Sequence, residues 1–442
     1  MGFNFPSSPT IGQLHPPTAT PGLPQYTWDG VTWTMRGTPI NPKIIVSDTP
    51  PASPETGSMW WNGSNGKLYV YYFDGDASFW VQAAASLSDV DQSQLLKKAG
   101  DAMAGPLSLI DPTLQMHAMP FGYIKRNRVI NGAMQVSQEN GSTLGTAASY
   151  YPVDQFVSYH QGGTRSTQQV ASLTPGGSPN RIRITTTSAY PTLGTTDFHQ
   201  IRHPIEGSRI ADFRMGTALA KTVTLQFGCK GPAGTYCISF RNAPTYNRTH
   251  IKEYTITASE ANIDVVKSVT LTLDTIGTWP SDNTQGLEVA WLLAGGSTYI
   301  TTPNSWQAGA YTVTANQLNF MAVSGNVFEL FDVDLFEGTA PRAYLVPDYS
   351  TTLLECMRYF RKHNAVFVSG YNGAGAAVYI SSPIAPPMRI APAVSTWNTT
   401  FYSNASNATP NLIFADLFRW GVTISAAGYG YADISPQLNS RM

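Results

Sequence analysis

Arg181-Ile182-Arg183-Ile184-Thr185-Thr186-Thr187 is a short run rich in β-branched residues, with turn-forming residues on either side, and it reads as a strand. Runs of the same kind recur at residues 221–230, 235–241, 265–273 and 287–293. Turn clusters separate them at fairly even spacing. So many short strands within about 200 residues predict an antiparallel sandwich or jelly roll over residues 126–346.

Composition agrees with an all-β chain. Gly (38) and Pro (31) are plentiful and aromatics reach 12%, a mixture that disfavours helices and suits twisted, turn-rich sheets. Hydrophobic content of 42% is enough for real cores. The 442 residues exceed one ordinary core, so several domains are expected. Charged residues make up only 12%, and solubility must come from Ser, Thr, Asn and Gly. A net charge of −1 gives no pull toward nucleic acid or an anionic membrane. No run approaches the roughly 18 apolar residues of a membrane span. The start, residues 1–14, lacks the basic and apolar regions of a signal peptide. The expectation is synthesis in a host cytoplasm, with no membrane insertion.

Outward from the sandwich, five segments are expected: 1–37, 38–84, 85–125, 126–346 and 347–442. The first two are small β modules that look duplicated. Ser8-Pro9-Thr10-Ile11-Gly12 matches Ser53-Pro54-Glu55-Thr56-Gly57, and Tyr26-Thr27-Trp28-Asp29-Gly30 matches Tyr71-Tyr72-Phe73-Asp74-Gly75. Trp33 and Trp80 close the two units, and Asn62-Gly63-Ser64-Asn65-Gly66 between aromatic runs predicts a hairpin. Modules of this size bury little alone and must stack on something. Residues 82–98 have helix formers and a partial heptad at Leu87, Val90, Gln94 and Leu95, which predicts a linker helix or a short trimeric coiled coil. After the sandwich, Ser350-Thr351 is expected to cap a helix with Leu353, Met357 and Phe360 on one face. A β module follows it.

Three stretches carry a family resemblance. The run from Lys97 to Leu107, with Gly100-Asp101-Ala102-Met103-Ala104-Gly105-Pro106-Leu107, resembles the "GDTMTGPL" element of phage tail-fibre proteins, with Ala at 102 and 104 where Thr is usual. Arg128-Val129-Ile130-Asn131-Gly132-Ala133-Met134 opens a segment similar to a jelly-roll domain of phage receptor-binding proteins. That likeness continues through Ile205-Glu206-Gly207, Ser305-Trp306-Gln307-Ala308-Gly309 and Val333-Asp334-Leu335-Phe336-Glu337-Gly338. Leu354-Glu355-Cys356-Met357-Arg358-Tyr359-Phe360 resembles an "LCQRYY" helix, and Pro387-Met388-Arg389 with Pro392 resembles a "PMRATP" element. The resemblance is to phage tail-fibre and spike proteins with a carbohydrate-binding-module-like jelly roll. It implies a virion protein, a homotrimer, attachment to other virion proteins through residues 1–84, and binding to a host surface glycan or receptor. Alternatives in the same setting are a capsule- or lipopolysaccharide-degrading tailspike enzyme, or a head-fibre or baseplate decoration protein without a host ligand.

Candidate chemistry is sparse. Asp332 and Asp334 share one side of a predicted strand, with carboxyls about 7 Å apart. That spacing suits a glycosidase pair or Ca²⁺, and a solvated strand face with Phe331, Val333 and Leu335 buried opposite accounts for it better. His199 and His203 are four apart, but Pro204 argues for a strand and against zinc. Cys229 and Cys237 flank a possible hairpin; free, half-buried thiols are expected. Arg358, Arg361, Lys362 and His363 suit a helix C-terminus. No catalytic residue, metal or cofactor is expected. Sugar faces stack on exposed aromatics with Asn or Asp at the ring edge. Trp279, Tyr299, Trp306 and Tyr311 are candidates in the large domain. The preferred glycan-binding patch is Tyr371, Asn372, Trp397, Asn398 and Tyr402 in the C-terminal module.

Overall fold

A computed structural model describes residues 4–18, 24–36, 44–83 and 126–442, save the side chain of Trp397. The expected linker helix and the element at 97–107 lie outside the described residues. The chain divides into two units, residues 1–108 and 109–442.

In the first unit, β1 (Leu14–His15), β2 (Gln25–Trp28) and β3 (Trp33–Arg36) form an antiparallel sheet. A second sheet orders β4 (Ile44–Ser47), β5 (Met59–Asn62), β6 (Lys67–Phe73) and β7 (Ser78–Gln82), with β4 parallel to β5. Asp29 and Asp74 build their turns alike. Asp29 Oδ1 accepts from the backbone N–H groups of Val31 and Thr32 at 2.8 and 2.7 Å, and Asp74 Oδ1 from those of Asp76 and Ala77 at 2.9 Å each. The alignment read from the sequence shifts by two, however. Gly12 N–H donates to Trp28 O and Gly57 N–H to Tyr71 O, so Trp28 corresponds to Tyr71. Two further pairs, Tyr72 with Phe79 and Phe73 with Ser78, separate Tyr71 from its turn, whereas Trp28 and Trp33 form the last pair before theirs.

Trp60, Tyr69, Tyr71 and Trp80 pack on one face of the second sheet, with ring centroids 5.0–5.5 Å apart. Alternation puts Val46, Trp61, Tyr72, Phe79 and Val81 on the other face, where each is exposed. This sheet is therefore apolar on both sides and covered on one.

The sandwich contains twelve strands: β8 (Ser149–Val153), β9 (Phe156–Gln161), β10 (Thr164–Ala171), β11 (Asn180–Ser188), β12 (Phe198–Glu206), β13 (Thr222–Lys230), β14 (Gly234–Asn242), β15 (Arg248–Ile256), β16 (Val265–Thr272), β17 (Gln285–Gly295), β18 (Trp306–Ala308) and β19 (Val327–Glu337). Five form one sheet in the order β10-β11-β19-β13-β16, and seven form the other in the order β18-β15-β14-β17-β12-β9-β8. Every strand pair in both is antiparallel. Ile182, Ile184, Leu225, Phe227, Val333 and Leu335 from one sheet meet Ile201, Ile238, Phe240, Val289 and Trp291 from the other in a single core. The five runs that suggested the fold are β11, β13, β14, β16 and β17. Strands β10 and β15 lack such a pattern, because Thr164–Ala171 and Arg248–Ile256 are largely polar.

Several expectations need correction here. Asp332 and Asp334 are buried, not solvated. Asp332 accepts from Thr174 Oγ1 (2.7 Å), Gly176 N–H (2.9 Å) and Ser178 Oγ, and Arg342 forks onto Asp334 at 2.8 and 3.0 Å. A register shift in the β13–β19 ladder between Gln226 and Gly228 breaks simple alternation, and Asp332 itself has φ 49°. Cys229 and Cys237 do not face each other across a hairpin, because β13 and β14 belong to different sheets; both thiols are free and fully buried.

The C-terminal module begins with the helix Tyr349–Met357. Its cap is Asp348, whose carboxylate accepts from Thr351 N–H at 3.0 Å, in place of Ser350-Thr351. Phe360 has left the helix and belongs to β20 (Phe360–Lys362), and the helix buries Thr352 and Cys356. Arg361 Nε donates to the carbonyl of Met357 at 2.8 Å, the helix-end interaction expected of this basic stretch. Then come β21 (Val366–Asn372), β22 (Ala377–Pro383), β23 (Ala393–Ser403), β24 (Ala405–Ile413), β25 (Leu417–Ile424) and β26 (Gly428–Asn439). They form two sheets, β20-β26-β21 with β23 also paired to β26, and β22-β25-β24. Val368, Phe418, Trp420, Val422, Ile434 and Leu438 fill the space between them.

Glu206, at the end of β12, ties this module to the sandwich. Its side chain is 1% exposed and receives Arg358 Nε and Nη2 at 3.0 and 2.6 Å and Tyr359 Oη at 2.7 Å. Burial raises the Glu206 pKa, but these donors outweigh it and hold the carboxyl below its usual range. Arg358→Ala strips the cation from a buried carboxylate. It is expected to lower unfolding stability by about 3 kcal/mol in urea titration, whereas the exposed-end Arg419→Ala changes it little.

Burial also pushes imidazoles down: His160 and His250 to about 4, His203 to about 3 and His199 to about 2. The unfolded chain protonates each near pH 6.5 and the folded chain does not. Their contribution to stability is therefore full above pH 6.5 and is lost as pH falls, by about 1.4 kcal/mol per group per pH unit. Asp154 runs the other way, since burial raises its carboxyl to about 6 and its own contribution falls as pH rises from 4 to 6. Four histidines outweigh one carboxyl. Acid unfolding is expected to set in below pH 6.5, and His199→Leu should move its midpoint to lower pH by circular dichroism.

Candidate functional site

The outer face of the seven-stranded sheet carries a cleft of about 330 Å³. Across β12, β17 and β14 Arg202, Ala290 and Ser239 are neighbours, and the two small side chains are fully buried beside the arginine. The loop after β17, residues 296–317, rises over this face, and Tyr299 packs against Cys237, Ile251, Ala290, Leu292 and Val313. One wall is therefore Tyr299 and Thr312. The facing wall is Tyr159 and Gln161 of β9 with Phe198 and Gln200 of β12.

Tyr159, Phe198 and Tyr299 form a continuous aromatic strip. The first two rings lie 5.0 Å apart and tilted, the second and third 5.9 Å apart and edge-on. All three are half-buried, with their bodies packed and one side turned to solvent.

The floor is charged. Glu288 is 1% exposed and lies between Arg241, which bonds its Oε1, and Arg202, whose Nη1 lies 3.4 Å from its Oε2. Tyr246 Oη donates to the same carboxylate at 3.1 Å. Burial opposes the charge on Glu288, but Arg241 and Arg202 prevail and keep its pKa below the usual range. The Tyr246 hydroxyl shifts upward through burial and the neighbouring Glu288 charge, and it stays a donor. Each guanidinium also stacks on a tyrosine, Arg202 on Tyr159 and Arg241 on Tyr246, both at 4.8 Å from the ring centre.

Two buried side chains of the lining keep polar atoms unpartnered: Gln200 Oε1 and Thr312 Oγ1, in residues 3% and 4% exposed. Buried polar atoms are normally satisfied, and these two stand out as shut away from solvent without a protein partner.

The sequence patch is divided by the structure. Tyr371 and Tyr402 are exposed on the open face of β21, β26 and β23, together with Phe367, Tyr429 and Tyr431. Tyr402 stacks on Tyr431 at 5.8 Å and donates to Asp433 Oδ2 at 2.6 Å. Asn372 spends its amide inside the β21–β22 turn, on Ala377 O and Gly373 N–H. Asn398 is exposed opposite Ser435, six positions along β26 from Tyr429, or about 20 Å. Trp397 stands at a register irregularity in β23, and its side chain lies outside the described residues. In the large domain Tyr299 reaches the cleft. Trp279 and Trp306 donate their indole N–H to Ile276 O and Thr272 O and pack on the core. His199 and His203 are both buried on β12, and among the described residues no cluster of His, Cys, Asp or Glu is arranged to hold a metal.

Arg202, Arg241 and Glu288 were missed. A signal was present for Glu288 and Arg241, which interrupt largely apolar runs where a charge demands a partner across the sheet; Arg202 sits in a strand already rich in polar residues and carried none.

No family model matches the sequence, and a search of curated proteins found no match. Among solved structures the chain is similar to the enzymatically active domain of a bacteriophage CBA120 tailspike protein, with 12% identity, TM-score 0.27 and 53% of this chain covered. It spans only 24% of that tailspike chain. It is also similar to the family 11 carbohydrate-binding module of a Clostridium thermocellum cellulosomal cellulase, with 10% identity, TM-score 0.24, and 46% and 99% of the two chains covered. A module solved in complex with β-1,4-galactotriose shares 9% identity at TM-score 0.24, over 48% of this chain and 99% of its own. Likenesses this low decide nothing about function, which has to be read from the residues themselves.

Proposed function

We propose that this chain is a structural fibre or spike protein of a bacteriophage particle that binds a host surface glycan in the sandwich cleft, works as a homotrimer and catalyses no reaction. The cleft carries the glycan part. An aromatic strip open on one side offers a pyranose its apolar face, while Gln161 and the Arg202 guanidinium offer partners to polar groups at the ring edge. A cleft of about 330 Å³ accommodates one or two sugar units. Glu288 is spent on two guanidiniums and a tyrosine hydroxyl, which suits it to hold the floor and not to carry protons as one of a glycosidase pair. The phage setting rests on the order of the motif resemblances along residues 97–442.

The test is binding of the full chain to a glycan array and to intact host cells. Replacing Tyr159 and Tyr299 together by Ala should weaken glycan binding at least tenfold when measured well below the melting temperature, which the loss of two packed rings lowers. Equal binding by this variant would remove the cleft from the reading.

The apolar face bearing Val46, Trp61, Tyr72, Phe79 and Val81 supports association, because a contiguous exposed apolar patch calls for a partner. Two sister chains are the proposed partners, and three sites per fibre would raise a weak single-site affinity. Sedimentation equilibrium at micromolar concentration should give a trimer. A stable monomer would contradict it, and Val81→Asp should weaken the assembly if this face takes part.

A further inference from the structure

We infer that the cleft selects acidic glycans, with Arg202 receiving a sugar-borne carboxylate; this rests on the glycan reading of the same site. The charges are unbalanced. The cleft lining contains two charged side chains, Arg202 and Arg241, and the carboxylate beneath them, Glu288, compensates one. Arg241 is closed to a ligand: its side chain is 9% exposed, close to Glu288 Oε1 and stacked on Tyr246. Arg202 is not. Its side chain is 23% exposed, and among the described residues its one hydrogen bond runs from Nη1 to Glu288 at the long distance of 3.4 Å.

The Nε–Nη2 edge of Arg202 thus keeps two parallel donors, the arrangement that grips a carboxylate with both oxygens. Its plane is fixed by stacking on Tyr159, the first ring of the aromatic strip. Position and chemistry therefore agree. A uronic or sialic acid bears its carboxylate on a ring carbon, so the sugar face can rest on the aromatic strip while the carboxylate meets Arg202. The exposed Gln161 amide on the cleft wall suits the hydroxyls of the same ring. A neutral glycan satisfies the strip and this amide but leaves the guanidinium edge unpaired, which is a loss in a partly desolvated cleft.

The experiment is calorimetric titration of the full chain with tetragalacturonate, hyaluronan tetrasaccharide and oligosialic acid, each beside its carboxyl-reduced form, and with mannose 6-phosphate. At least one acidic sugar should bind tenfold or more tightly than its reduced partner, with affinity falling as salt rises. Arg202→Gln, checked for an unchanged fold by its melting temperature, should bring the ratio of acidic to reduced affinity down to about one. Equal affinity for acidic and reduced forms, or a preference for the sugar phosphate, would overturn the acidic selectivity and leave glycan binding standing. A preference that survives Arg202→Gln would overturn the role given to Arg202. Absence of binding to every sugar, acidic or neutral, would overturn both this inference and the glycan reading beneath it.

Discussion

A carboxylate shut away from water costs several kcal/mol unless cations and hydrogen-bond donors meet it, and Glu288 in the centre of β17 imposes that condition on the whole seven-stranded sheet. Arg241 lies directly opposite it on β14, and Arg202 approaches from β12. The three strands can satisfy it in one register. A slip of one residue would carry the guanidiniums into the core among Trp291, Ile238 and Ile201 and turn those residues out to water. The same register brings Arg202 and Arg241 together on the outer face, where both line the cleft. Scaffold and cleft floor therefore share one buried charge.

This use of charge is general in the chain. With 12% charged residues there are few ions to spend, and many sit in buried pairs. Glu329 joins Arg181 and Arg183 within the five-stranded sheet, Asp274 holds Arg248, Asp334 holds Arg342, and Glu206 holds Arg358 across the junction with the C-terminal module. Such pairs add little net stability over an apolar filling, yet removing one partner is costly, so they specify arrangement more than they add strength. The outer surface is left to neutral polar residues. Binding on such a surface depends on local shape and on single exposed charges, which gives the 23% exposed Arg202 unusual weight.

The all-β architecture was legible because β-branched runs separated by turn residues mark strands directly, as in Asn180–Ser188 and Gln285–Gly295. Strands of polar composition were not, because Thr164–Ala171 is fixed by its ladder with β11 and not by any alternation of its own. The Asp332–Asp334 pair misled for a related reason. Period-two reasoning assumes an unbroken ladder, and the shift opposite Gln226 buries both carboxylates against partners distant in sequence. The cleft was illegible for a stronger reason. Its residues come from β9, β12, β14 and two loops, so only the order β14-β17-β12-β9 brings them together. Tyr299 alone was named beforehand, through its place near a turn.

The open aromatic face of the C-terminal module shows why concavity, and not aromatic content, singles out the sandwich. Phe367, Tyr371, Tyr402, Tyr429 and Tyr431 expose more ring surface than the cleft does. On a flat sheet, though, a sugar stacked on a ring keeps its edge hydroxyls in water, where protein hydrogen bonds gain little over those already made. In the cleft the edge is met by Gln161 and by Arg202, whose guanidinium is held by Tyr159 and Glu288 while part of it stays open to a ligand. A donor already oriented and partly desolvated in folding has less to lose on binding, so each hydrogen bond contributes more than its counterpart on the open face. A preorganised guanidinium beside fixed rings makes the cleft a discriminating site, and the flat tyrosine face, with Tyr402 already bonded to Asp433, has fewer unmet groups to offer.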